Sequence, residues 1–314
     1  SLLIRSRGML AECQYALKLQ EQAADKPQAT VRNLGARFNT KASDFAPVMS
    51  TDARRLYFTS RRPNGRDLAP DGFPYEAIWY ASRKDATDAA PTRIAQAANP
   101  EAWTTPQRLP FDVPYHIACI GLSPSGDQLL IHRSDKGGDL YVSSGEGTNW
   151  SEPEAYPAPV NTPRFWEPSA TLSADGKVLI FASDRPGGMG GRDLYVSFRL
   201  QDGGWSAAQN LGRPINTPRD EDAPFFHPDG RTLYFASHGH RGMGSFDLFR
   251  TARLRDGSWA QPQNLGYPLN SPEEDSYFYL AADGQTACFA SSRKGSFGDR
   301  DLYFAELPPP SPII

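Results

Sequence analysis

The 314-residue chain carries 33 Lys and Arg against 36 Asp and Glu, a formal charge of −3. Its basic residues are scattered, which leaves no electrostatic case for nucleic acid or an anionic membrane surface. With 39% hydrophobic and 11% aromatic residues there is material for a core. No apolar run approaches the roughly 20 residues of a membrane helix, so no membrane insertion is expected.

Residues 1–26 (SLLIRSRGMLAECQYALKLQEQAADK) hold good helix formers, with apolar spacing at Met9, Cys13, Ala16 and Leu17; the reading is one helix, stopped at Pro27. The segment TVRNLG at Thr30–Gly35 follows. From Asp44 onward the chain repeats. A turn sequence recurs as MSTDA, then SPSG, LSADG, FHPDG and LAADG, with Gly176, Gly230 and Gly284 spaced by one period. Each turn leads into a β-rich segment (RLYFTS, QLLIHRS, KVLIFAS, RTLYFAS, QTACFAS), a loop, and a third segment. That third segment opens on Asp-Leu-aromatic at Asp139, Asp193, Asp247 and Asp301. An outer segment led by Trp103, Trp150, Trp205 and Trp259 completes four of the units. Four short strands per unit, β-branched and aromatic with turn chemistry between them, read as a propeller blade. The fifth unit ends after Phe304 without an outer strand. Asn33-Leu34-Gly35 repeats the Asn-Leu-Gly at Asn210 and Asn264, so Thr30–Leu34 is expected to supply it. The expectation is an all-β, five-bladed β-propeller over residues 27–307, of four-stranded blades closed by the N-terminal strand. A short helix precedes it and a proline-rich linker, 308–314, follows. Both ends read as joints to neighbouring domains.

The run Gly187-Gly188-Met189-Gly190-Gly191 leads into a strand and lacks the Lys and helix of a phosphate loop. It is read as the loop between second and third strands, its glycines supplying positive φ. The recurring aspartates are read as caps on that loop, and the recurring tryptophans as packing between blades.

The copies, EPSATLSADGKVLIFASDRPGGMGGRDLYVS for one, resemble the TolB-type, WD-like propeller repeat. The first copy, with its long loop RRPNGRDLAPDGFPYEAIWY, departs from it. The order AECQYALKL, then VRNLGARFNTKASDFAPVMS, then five repeats resembles the junction of tetratricopeptide repeats and propeller in OmpA-family envelope proteins. That resemblance implies a scaffold module in the periplasm, associated with the outer membrane and, for some members, with type IX secretion. Its implied partners are other cell-envelope proteins. Peptidoglycan would be reached only through an OmpA-like domain absent from this chain, and the isolated chain is expected to be monomeric.

Nine residues before each turn position stand Asp44, Ile117, Glu167, Glu221 and Asp275, at the start of the inner strands. Carboxylates around a funnel are the equipment of five-bladed glycosidases, and retaining or inverting chemistry needs two within about 5–9.5 Å. Eighteen residues after Asp44, Glu167 and Asp275, however, stand Arg62, Arg185 and Arg293. A two-strand meander returns its end to the face where it began, which predicts a structural ion pair in each of these blades. Blade four has Gly239 at that place, flanked by His238 and His240. Glu221, His238, His240 and Arg241 are therefore the candidate ligand or partner site. Cys13, Cys119 and Cys288 have no CxxC or His spacing; no metal and no cofactor are expected. No GxSxG elbow or triad context is present, and no catalytic residue is assigned. Three functions stay open: a non-catalytic interaction scaffold, a glycan-binding or glycoside-hydrolysing propeller, and a small-ligand or cation sensor.

Overall fold

A computed structural model describes residues 13–21, 28–65, 68–84 and 99–308. Residues 66–67 of the first copy's long loop, 85–98, most of the proline-rich end, and residues 1–12 and 22–26 of the expected N-terminal helix lie outside the described residues. Residues 13–21 are helical. The rest forms five antiparallel sheets arranged as blades.

In each blade the strand nearest the ring centre comes first. The inner strands are Asp44–Met49, Ile117–Leu122, Ala170–Leu172, Glu221–Phe226 and Asp275–Leu280, and each packs on its two ring neighbours. Blade two carries an extra hairpin, Asn149–Trp150. The ring closes as the Asn-Leu-Gly signal implied. Thr30–Asn33 runs antiparallel to Asp301–Glu306, with Thr30 opposite Glu306 and Asn33 opposite Tyr303, as the outer strand of blade five. That pairing removes a bare sheet edge. Leu34 and Phe38, just beyond it, are fully buried beside Trp103 of blade one and Phe304 of blade five.

Two polar devices repeat between blades. The residue before each third strand lends its carbonyl to an N–H where the next blade's inner segment begins. Glu76 serves Ile117, Gly138 serves Glu167, Arg192 serves Glu221, Phe246 serves Asp275, and Arg300 serves Asp44 across the closure. In addition, the linker asparagines Asn39, Asn161, Asn216 and Asn270 each clamp a third-strand leucine of the preceding blade. Asn216, for example, accepts from Leu194 N at 2.9 Å and donates to Leu194 O at 2.9 Å. The same two bonds join Asn39 to Leu302, Asn161 to Leu140 and Asn270 to Leu248.

The glycine loops do something the sequence reading missed. Gly187 has the expected positive φ of 93°, but Gly188, Gly190 and Gly191 do not. A Cβ on Gly190 would collide with the carbonyl oxygens of Thr217 and Arg219; on Gly244 with those of Ser271 and Glu273; on Gly298 with those of Thr40 and Ala42. These glycines let each loop lie directly on the linker entering the next blade. Three of the four aspartates behave as caps: Asp193 accepts from Met189 N, Asp247 from Met243 N and Gly244 N at 2.8 and 3.0 Å, and Asp301 from Phe297 N and Gly298 N at 2.7 and 3.2 Å. The tryptophans sit at blade seams, Trp150 against Tyr57 of blade one and Trp205 against Tyr156 of blade two.

Candidate functional site

On the face where inner strands begin, three blades carry the expected acid–arginine pair. Asp44 meets Arg62 at 2.7 Å, Glu167 meets Arg185 at 2.9 Å, and Asp275 meets Arg293 at 2.6 Å, all three carboxylates fully buried. Asp44 also accepts from the middle-strand Ser60 and Glu167 from Ser183, while Asp275 accepts from the linker residue Ser271 through both its N–H and its hydroxyl. The guanidinium has two further tasks. It donates to a linker carbonyl, that of Phe38, Val160 or Leu269. It also lies over the blade's aromatic rings. Arg185 is 4.8 and 5.3 Å from Phe181 and Tyr195, and Arg293 is 5.0 Å from both Phe289 and Tyr303. Burial pushes the Glu167 and Asp275 carboxyls up, against the opposing pull of arginine and hydroxyls.

Blade four replaces the arginine piecemeal. His240 takes the carbonyl, Nε2 standing 2.7 Å from Ile215 O, and its ring packs on Phe235 and Phe249 at 5.9 and 5.1 Å. Burial lowers its pKa, so at neutral pH it is uncharged and donates from Nε2. Glu221 keeps only neutral partners: Thr217 N at 2.8 Å, Thr217 Oγ1 at 2.7 Å and Ser237 Oγ at 2.8 Å. Desolvation without a cation raises its pKa to about 7. The other two candidates are engaged elsewhere. His238 contacts Arg219 at 3.2 Å and packs on Phe246, while Arg241 lies 4.2 Å over the ring of Tyr15 in the N-terminal helix. The structure thus does not bring Glu221, His238, His240 and Arg241 together around an open space.

Blade two contains an arrangement that the spacing rule overlooked. Ile117 replaces the acid, and the pair shifts onto the loop: Arg133 grips Asp135 through both oxygens at 3.0 and 2.8 Å and covers Tyr141 at 4.0 Å. Arg133 occupies the position that is serine in the other copies, which is the signal that marks it.

At the channel mouth Arg192 bridges Asp222 at 3.0 Å and Asp220 at 3.2 Å and lies 5.0 Å over Trp166. Asp222 accepts in addition from Ser169 Oγ at 2.5 Å and Ala223 N at 2.7 Å. Arg300 donates to Ser43 Oγ at 3.1 Å and covers Phe45. Tyr277 packs on Phe45 at 5.8 Å, its hydroxyl pKa raised first by burial and then by Asp222. Beside the mouth, Trp166 Nε1 donates to His132 Nε2 at 3.0 Å, and burial holds His132 neutral with its pKa near 4. No three His, Cys, Asp or Glu among the described residues converge as metal ligands.

The sequence matches no protein-family model and no curated protein. Solved structures do match. TolB from Acinetobacter baumannii is similar at 14% identity and a TM-score of 0.51, over 89% of this chain and 63% of that one. An alpha-L-arabinofuranosidase from Lactobacillus brevis is similar at 14% identity and 0.53, over 86% and 91%. A glycoside hydrolase is similar at 10% identity and 0.55, over 95% and 97%. At such identities the likeness establishes the fold, a TolB-like β-propeller, and the fold alone.

Proposed function

We propose that this chain is a non-catalytic protein-binding platform within a cell-envelope assembly. The observation that carries the reading is the state of the inner-strand acids. Asp44, Glu167, Glu221 and Asp275 are all fully buried, and each is bonded within its own blade. Glycoside hydrolysis needs two carboxyl groups reaching one sugar, with a water or the anomeric carbon between them. Here the recurrent acids hold arginines, hydroxyls and linker amides instead. The mouth acid Asp222 is likewise consumed by Arg192 and Ser169.

A closed ring with locked seams suits a platform, because loops on either face vary without disturbing it. The periplasmic setting, near the outer membrane, rests on the sequence resemblance of helix, Asn-Leu-Gly and five repeats; type IX secretion is the assembly to examine first. The test is position-specific photo-crosslinking of the full chain in an envelope extract. Probes replace Phe73 or Phe297, exposed on the loop face, or Leu200 or Leu254, exposed on the opposite hairpins. Discrete protein adducts from some positions and not others are expected. Uniform labelling from all four, or none, contradicts the platform reading.

A further inference from the structure

Blade four gives up the buried arginine of its neighbours, and its loop is rebuilt at one further position. One repeat before Arg241 stands Gly187 and one repeat after it Gly295, at φ of 93° and 96°, a left-handed turn that resists a side chain. Arg241 does not share that φ, so of these three blades only the fourth carries a side chain there. The arginine that its neighbours bury two positions earlier, as Arg185 and Arg293, thus stands in blade four at the surface of the loop. The backbone on both sides of Arg241 is held. Before it, Gly239 N and His240 N donate to Ser237 Oγ at 3.0 and 3.1 Å, and the His240 ring is fixed on Ile215 O. After it, Met243 N and Gly244 N donate to Asp247. The guanidinium forms no ion pair or hydrogen bond among the described residues. What it meets is the ring of Tyr15, 4.2 Å from Cζ.

The helix at residues 13–21 presents a matching side. Ala16 is 8% exposed, and Tyr15, Leu19 and Gln20 are partly buried, whereas Leu17 is 59% exposed. Positions 15, 16, 19 and 20 lie on one helical face, so it is this face that is turned from solvent. A short helix is marginal in water on its own and takes its order from what it packs against. A cation held over an aromatic ring is attracted by the ring's negative face, and arginine loses little hydration in making that contact.

We propose that the blade-four loop Ser237–Phe246 is the seat of the chain's own N-terminal helix, with Arg241 clamped on the Tyr15 ring. The helix is thereby held at one place on the ring, and the departure of blade four from its repeat marks that place. The proposal does not depend on the platform reading, whose cross-linking positions lie outside this loop. The test is hydrogen exchange of the helix amides, followed by mass spectrometry on the full chain. Arg241→Gly, which copies Gly187 and Gly295, should speed their exchange about two- to fivefold while the melting temperature of the ring stays that of the parent. Tyr15→Ala should do the same. Alanine strengthens intrinsic helix propensity, so a loss of protection there reports undocking and not a weaker helix. Tyr15→Phe keeps the ring and should keep the protection, and the double variant Tyr15→Ala with Arg241→Gly should exchange no faster than either single one. A nitroxide on Cys13, the exposed cysteine of the three, gives a second reading: restricted in the parent, mobile in Arg241→Gly. Helix amides that exchange in the parent at the rate of an unfolded chain would overturn the proposal. So would protection retained by both single variants, loss confined to Tyr15→Ala, or loss in Tyr15→Phe.

Discussion

Arginine 185 does three things at once, and its removal separates them. It neutralises Glu167 at 2.9 Å, satisfies Val160 O at 2.6 Å and caps Phe181. Arg185→Met keeps most of the apolar stem but leaves a fully buried carboxylate without its cation. Breaking a buried pair from one side costs about 3–5 kcal/mol. The loss should depend on pH, with a definite sign. An orphaned acid has its folded pKa raised further above its unfolded value, so the folded state holds the proton more tightly. Stability is then best retained at low pH and falls as pH rises through the folded pKa. The variant's deficit in urea unfolding should be largest at pH 8 and shrink toward pH 5. An equal deficit at both values would mean that the pair contributes packing and no charge compensation. Glu221, whose pKa is about 7, already lives in that condition, which is why its blade dispenses with the arginine only by keeping three neutral donors around the carboxylate.

At the scale of the strand and linker, much of the fold is legible because its signals are local and periodic. The turn glycines, the Asp-Leu-aromatic strand openings and Asn-Leu-Gly each recur for one backbone reason, so even the displaced closing strand could be placed. The linker asparagine was visible as a repeated Asn but not as a clamp, since its partner is a backbone 22 residues upstream in the preceding blade. Asn216→Leu should cost about 2–4 kcal/mol, because it strands both the N–H and the C=O of buried Leu194. A melting temperature unchanged from the parent would show that these groups find other partners. The glycine loops were misread for a related reason. Close approach to a neighbouring blade leaves no local pattern, whereas positive φ does.

Across the whole ring, closure by the N-terminal strand ties the first described residues of the sheet to the last. A chain beginning at Asp44 would expose the edge of Asp301–Glu306 and lose Leu34 and Phe38, both fully buried. Each such side chain is worth about 1.5–3 kcal/mol on burial, and the strand pairing adds to that. Since 1 kcal/mol shifts the midpoint of a domain of this size by roughly 2–4 °C, a drop of about 10 °C or more is expected, with association through the bare edge. A truncated chain that melts with the parent would contradict velcro-like closure. The candidate site was less legible than the fold. Spacing alone located the three acid–arginine pairs, but in blade two the arginine, Arg133, stands at the serine position and its acid, Asp135, where those blades carry arginine. Of the two histidines of blade four, His240 proved to stand in for an arginine, while His238 contacts Arg219 and Phe246. The ring of buried, bonded acids is the central claim. Its most direct test is hydrolysis by the intact chain of arabinan, pectic and other glycans and of peptides, assayed from pH 5 to pH 8. No turnover above the buffer rate is predicted. Turnover that disappears in Glu221→Gln while the melting temperature stays unchanged would contradict the account.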